Sequence, residues 1–431
     1  MITISAPQAV IDRLDRRFQE RREQVPVLRQ RAAAERLDEV RALEDLVPLL
    51  FPHTVYKSYP PALVEQRRWA QMNRWLDSTS TRRVDIDVTG VTDVDSWLDR
   101  LAAAGHFVAA SSGTSGKSSF LDKSAADLDA ARDNRLHALR DADVLPDNSW
   151  HVLSLAPAAV NVAGQQMRQV LLDGFARPDQ IAPFAAAAQE EGHQAYMARL
   201  TALRRALAEG TANPEDVAAL EAESARRQEE TDRLLDHYAG EVLRRAGDRY
   251  LFGTKMALAW RFVEALRARG AEPGDLTGTN AILMAGGTKG VELPADHVAQ
   301  ITAMLNVDRA RFVQFYSMQE INLGLPSCGA GRYHARSDLV LLVLDEPGEA
   351  PAPISDGQAE GRAAFFDFSI DGRWGGTISG DRIRADFGVC PCGRPGPTVL
   401  PDIVRYANLV DADKITCAGT MDAYVRGFIQ D

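Results

Sequence analysis

Residues 105–155 set four textures in a row: "GHFVAAS", "SGTSGKSS", "AADLDAARDNRLHAL" and "WHVLSLAP". The first and last are short apolar runs bounded by turn residues, the pattern of buried strands. Between them stand a glycine- and serine-rich loop and a helical stretch. Strand, loop, helix and strand in that order restrict the chain to an open α/β sheet more sharply than any other feature.

The α/β texture resumes in "TNAILMAGGTKG" and "ARFVQFYSMQE", and after Arg332 the chain turns strand-rich: "LVLLVLDE", "GRAAFFDFS" and "GGTISGDRIRADF". Residues 7–50 carry apolar positions at helical spacing among Arg and Glu, and an amphipathic helix follows whose Trp69 and Trp75 read as core. Residues 184–246, rich in Ala, Glu and Arg, read as a helical insertion with a solvated charged face. The expected organisation is a helical region at 1–80, an α/β domain at 81–400 and a short tail at 401–431.

Bulk composition excludes several classes. A net charge of −11 argues against a broad nucleic-acid face, though not against a local nucleotide pocket. The amino terminus lacks an apolar signal region and no run of apolar residues is long enough to span a membrane. Four cysteines in 431 residues do not make a disulfide framework, so a cytoplasmic protein with thiols or metal ligands is expected.

The loop ends in Gly116-Lys117-Ser118, as a Walker A loop does. That motif also needs a glycine five places before Gly116, to wrap the phosphates, and Ser111 stands there. Strict Walker A therefore fails. What remains is Ser111, Ser112, Gly113, Thr114, Ser115, Gly116 and Lys117: hydroxyls, a permissive backbone and one ammonium, a chemistry suited to a phosphate tail.

Ser111–Lys117 resembles the phosphate-binding signature of the adenylate-forming superfamily of acyl-CoA synthetases, luciferases and adenylation domains. "FVQFYSMQE" is similar to that family's Tyr-Gly-x-Thr-Glu segment, "ISGDRI" to its Thr-Gly-Asp segment, and "MAGGTKG", with Gly286 and Gly287, to its glycine-rich strand end near adenine. The four motifs stand in the family's order across 105–400. They resemble most the branch of phenylacetate-CoA ligases and luminescence acyl-protein synthetases. The resemblance implies ATP and Mg²⁺ as cofactors and a small-molecule carboxylic acid as substrate, joined to the α-phosphate with loss of pyrophosphate. It implies that Ser112, Thr114 and Lys117 hold the departing phosphates, Glu320 binds Mg²⁺, Tyr316 lies against adenine, and Asp381 accepts from the ribose hydroxyls. Ser317 and Gln319 depart from the family's glycine and threonine.

Cys328 and His334, in "CGAGRYH", and Cys390 and Cys392, in "CPCGR", form a set of three thiols and one imidazole suited to a closed, structural Zn²⁺ site. The alternative is three buried thiols and an ordinary histidine. Phenylacetate-CoA ligase relatives show a similar pattern, some with zinc. Cys417 remains, in "DKITCAGTMDAY". The family continues into a mobile lid bearing a catalytic lysine; here no segment supplies it, and Lys414 is the speculative substitute. The luminescence synthetases are likewise short and are acylated on a cysteine near the carboxyl terminus, which implies Cys417 as an acyl-accepting thiol and a reductase or carrier protein as partner. Transfer to CoA, formation of an amide or nitrogen–nitrogen bond, and a catalytically silent nucleotide-binding subunit remain the alternatives.

Overall fold

A computed structural model describes residues 7–110, 117–156, 162–183, 193–285 and 292–409. Its strands, in chain order, fall into three sheets. β1 (Phe51–Pro52) is a short strand of the amino-terminal region; β2 (Ala109–Ala110) and β3 (Phe120–Leu121) form an antiparallel pair. A five-stranded sheet contains β4 (Trp150–Ser154), β5 (Arg249–Thr254), β6 (Asn280–Ala285), β7 (Val307–Tyr316) and β8 (Leu325–Pro326), in that spatial order. The first four are parallel and β8 turns back antiparallel on the end of β7.

Parallel strands need crossovers that cover the sheet, and their sequences must be apolar on both faces. Successive residues of these strands accordingly divide between two cores. Tyr250, Phe252, Ile282, Met284 and Phe312 pack with the helices Pro214–Arg244, Met256–Ala268 and His297–Met304. Leu251, Ala281, Val313 and Phe315 share the other core with the helices Ala125–Asp141 and Val162–Phe175. The charged stretch 184–246 contributes the helices His193–Ala208 and Pro214–Arg244, the latter capped by Asn213.

The remaining strands are β9 (Tyr333–His334), β10 (Leu339–Leu344), β11 (Gln358–Asp367), β12 (Gly376–Asp386), β13 (Thr398–Val399) and β14 (Val404–Arg405). They build a seven-stranded sheet in the order β10-β11-β12-β13-β9, with β1 and β14 also on β12. β1 pairs in parallel, Phe51 opposite Thr377 and Pro52 opposite Ile378. One face of this sheet, with Leu342, Leu344, Ala364, Phe366 and Ile378, shares a core with Leu14, Phe18, Leu28, Trp75 and Trp97 of the amino-terminal helices. Trp69 and Trp75 are core, as read from the sequence: Trp69 stacks on Trp97, and the Trp75 indole donates to Ser58 Oγ at 3.0 Å. The other face, with Leu341, Val343, Phe365 and Ile383, packs on Tyr316, Leu323 and Leu325 at the end of the parallel sheet.

One expectation is corrected. "GHFVAAS" does not enter the parallel sheet; only Ala109–Ala110 is strand, and it pairs with Phe120–Leu121. Ala110 and Phe120 stand opposite each other in this pair, and the sequence between them holds the serine-rich stretch. It leads into a strand, whereas a Walker A loop leads into a helix. The next helix begins at Ala125, behind a Ser124 cap.

Candidate functional site

Tyr316 ends β7 and Asp381 lies in β12, 65 residues later, yet the Tyr316 hydroxyl donates to Asp381 Oδ2 at 3.0 Å. Both side chains are buried. Burial, reinforced by the Asp381 charge, pushes the Tyr316 phenol well above its ordinary range, so it stays a neutral donor. Arg405, opposite Asp381 on β14, places Nε 3.3 Å from the carboxylate's other oxygen.

Ser317 is exposed where β7 gives way to a turn, and Glu320 closes that turn half-buried. The turn is tight: a Cβ on Gly324 would stand 2.9 Å from Ser317 Cβ. Burial raises the Glu320 carboxyl above its ordinary value, against its own backbone N–H and the nearby charges of Arg373, Arg405 and Lys123. Lys117 lies with its ammonium 4.2 Å from the centre of the Tyr59 ring and donates to the Tyr59 carbonyl; the Tyr59 hydroxyl donates to the Ser118 carbonyl at 2.9 Å. Ser111, Ser112, Gly113, Thr114, Ser115, Gly116, Gly286, Gly287, Lys414 and Cys417 lie outside the described residues.

Sequence reasoning missed the polar network that carries the Glu320 turn. Asp127 accepts from Asn322 Nδ2 at 2.6 Å, Asp371 N at 2.9 Å, Ser124 N at 2.8 Å and Gly372 N at 2.8 Å. Burial works to raise the Asp127 carboxyl, but Arg373 and these donors together pull it below its ordinary value. Gly372 is required there, since a Cβ would stand 2.8 Å from Asp127 Oδ2. Asp367 Oδ2 accepts from Asn322 N at 2.7 Å and Leu323 N at 2.9 Å. Arg373, 1% exposed, donates to the carbonyls of Asp122, Gln319 and Glu320 at 3.1, 3.2 and 3.0 Å. Lys123 is buried beside Asn322, Nζ to Oδ1 at 3.4 Å, and burial lowers its ammonium to about 7. The only signal in the sequence is a polar residue inside an apolar run, as Asp367 is in "AAFFDFS".

The second constellation is metal-like. One ligand atom from each of Cys328, His334, Cys390 and Cys392 lies within 4.8 Å of the others. Cys328 Sγ and Cys390 Sγ are 3.8 Å apart, and Cys392 Sγ is 3.4 Å from His334 Nε2. A tetrahedral ion at ~2.3 Å from sulfur and ~2.0 Å from nitrogen separates such atoms by about 3.8 and about 3.5 Å. The donor set thus fits Zn²⁺ in size and type. Burial, with the Arg394 and Arg332 charges, lowers His334 to about 4, which keeps its imidazole neutral as a ligand must be.

Two turns of one design present the sulfurs. Cys328 N donates to Arg332 O at 3.0 Å and Gly331 N to Cys328 O at 2.8 Å; Cys390 N donates to Arg394 O at 2.9 Å and Gly393 N to Cys390 O at 2.8 Å. Gly331 and Gly393 hold φ of +76° and +87°, where a side chain is strained. Their different yield of ligands follows from the third position, Ala330 in one turn and Cys392 in the other. His334, on β9, makes up the number. The first turn joins β8 of the parallel sheet to β9 of the seven-stranded sheet, so an ion bound here would tie the two sheets together.

No family model matches the chain, and no curated protein sequence matches it. Solved structures of one CoA ligase are similar to it in fold. An open conformation of 2-hydroxyisobutyryl-CoA ligase, in complex with 2-HIB-AMP and CoA, is similar with a TM-score of 0.52 at 13% identity, over 94% of this chain and 71% of that one. The same ligase in its postadenylation state, in complex with R3-HIB-AMP, gives 0.51 at 13% identity, over 94% and 69%. Among the described residues, no helix is long and apolar enough to cross a membrane.

Proposed function

We propose that this chain is an AMP-forming ligase that activates a carboxylic acid with ATP. The observation that carries the reading is the adenylate-forming ligase fold along 94% of the chain. The meeting of Tyr316 with Asp381, whose partner Arg405 also acts on Glu320, supports it. A carboxylate oxygen bonds to the α-phosphorus as the bond to the bridging oxygen breaks, and the electron pair leaves with pyrophosphate. Charge builds on the departing phosphates, so catalysis consists of positioning and electrostatic stabilisation.

In this reading the stretch Ser111–Lys117 supplies hydroxyl and backbone donors to those phosphates, with the Lys117 ammonium behind them. Asp381 accepts from the ribose hydroxyls, and Tyr316 and Arg405 fix its orientation. Mg²⁺, when bound at Glu320, neutralises phosphate charge. The zinc set is structural, because four protein ligands leave no open position.

The acyl group then passes to the Cys417 thiol as a thioester, with AMP leaving, and onward to a reductase or carrier protein. A second reading, transfer to CoA, is favoured by the likeness to a CoA ligase. Pyrophosphate release across a panel of acids tests the first step, and silence with every acid rejects it. Intact-protein mass spectrometry tests the second. An acyl adduct sensitive to hydroxylamine and lost in Cys417→Ser selects the protein thiol, whereas CoA-dependent turnover that survives the substitution selects CoA.

A further inference from the structure

The hairpin foot that closes the serine-rich stretch and the turn that presents Glu320 are almost 200 residues apart in sequence, and one side chain touches both. We propose that Arg373 is a positioning residue that holds these two segments at a fixed separation, so that phosphate-binding and metal-binding groups act on a single triphosphate. The inference rests on the ligase reading and names how its two halves are kept in register.

The geometry is specific. One terminal nitrogen of the guanidinium donates to the carbonyl of Asp122, which directly follows β3; the other donates to the carbonyls of Gln319 and Glu320. All three acceptors are main chain, so the arginine fixes where the backbone runs, not where a side chain happens to point. Each bond carries a charged donor, and the planar fork sets their relative directions. A lysine ammonium keeps the charge but is a point, without that fork.

Each partner segment is itself anchored. Asp122 Oδ2 is 2.8 Å from His106 Nδ1, so the hairpin foot is held from its far side. The Glu320 turn hangs from Asp127 and Asp367 through Asn322 and Leu323. Arg373 spans the two anchorages with three main-chain bonds, and the longer Lys123–Asn322 contact at 3.4 Å runs beside it. Its orientation serves the three carbonyls.

Arg373→Lys tests the clamp against Arg31→Lys, a second buried arginine that donates to the Pro48 carbonyl at 2.8 Å, within the amino-terminal helices. Arg373→Lys is expected to lower kcat/KM for ATP by about 100-fold, the order of effect that a small misplacement of reacting groups has. Arg31→Lys should stay within a few-fold at a comparable loss of Tm. Activity in Arg373→Lys that merely tracks its Tm, as in Arg31→Lys, overturns the proposal. Hydrogen exchange reads the clamp without any turnover. In Arg373→Lys, segments 117–123 and 316–324 should both gain exchange; a gain confined to residues around 373 overturns the inference. In the wild type under rising urea, both segments should open in one step, and separate openings overturn it. Absence of pyrophosphate release from the wild type sinks the ligase reading alone, and the exchange experiments still judge the clamp.

Discussion

The Glu320 turn and the cysteine cluster both sit where the parallel sheet meets the seven-stranded one, and they are held in opposite ways. Around Glu320, two carboxylates and an arginine saturate the backbone from several directions: Asp127 alone accepts four hydrogen bonds. That turn is assembled by the chain's own polar groups. At the cluster, four ligand atoms converge within 4.8 Å, two thiols face each other at 3.8 Å, and the Arg394 guanidinium bonds to the Cys392 thiol. One site is organised by the chain's own groups; the other gathers a donor set that fits an ion. Pre-organisation suits the place where chemistry occurs, and an ion suits a seam.

The largest effect that would break this contrast lies at the seam. Cys390→Ser should abolish stoichiometric zinc, measured by elemental analysis, and destabilise the fold by about 4–5 kcal/mol in chemical denaturation, as losses of structural metal do. A variant as stable as the wild type and equally free of metal would show that the thiols only pack. At the pre-organised turn, Glu320→Ala should leave Tm almost unchanged while pyrophosphate release falls by about 10²–10³-fold. Asp381→Asn comes next: it weakens the acceptor offered to ribose, and KM for ATP should rise by about tenfold, equivalent to ~1.4 kcal/mol.

Lys123 sharpens the comparison through pH. Its ammonium is lowered from 10.5 to about 7 by burial. Between about pH 7 and 10.5 the unfolded chain binds the proton and the folded chain does not, so this residue makes stability rise with pH across that window. Below about pH 7 both states are protonated and its burial cost is fully present. Lys123→Met should therefore gain stability relative to wild type at pH 6.5, and the gain should shrink by pH 9.5 in urea titrations. An equal difference at both values contradicts the assignment. The smallest effect belongs to the seam's outer rim: Asp141→Ala removes the partner of Arg394, 3.0 Å away and largely exposed, and should cost no more than about 1 kcal/mol with zinc retained.

What was legible in the sequence divides along the same line. The cysteine cluster could be read because a metal site writes its donors and its turn glycines into short, spaced strings, "CGAGRYH" and "CPCGR". β4, β6 and β7 of one sheet and β10, β11 and β12 of the other were legible as apolar runs, whereas β5 (Arg249–Thr254) and the two-residue strands were not. Arg373, Asp127 and Asn322 were not, because their partners are backbone groups or residues up to 251 positions distant, and a lone polar residue carries no period. The hairpin beneath the serine-rich stretch was misread for a related reason. Its strands are two residues long, and "FVAA" looks the same whether it joins a large sheet or only Phe120 and Leu121.

The place of β1 has a consequence for how the molecule is made. Thr377 Oγ1 donates to the Phe51 carbonyl across 326 residues, and the helices around β1 bury Leu14, Phe18 and Leu28 against the sheet that contains Thr377. A ribosome adding roughly 5–20 residues per second reaches Thr377 some 16–65 seconds after Phe51. For that interval the nascent amino-terminal segment carries its apolar stripe without the surface meant to cover it, and a holding chaperone has its clearest target there.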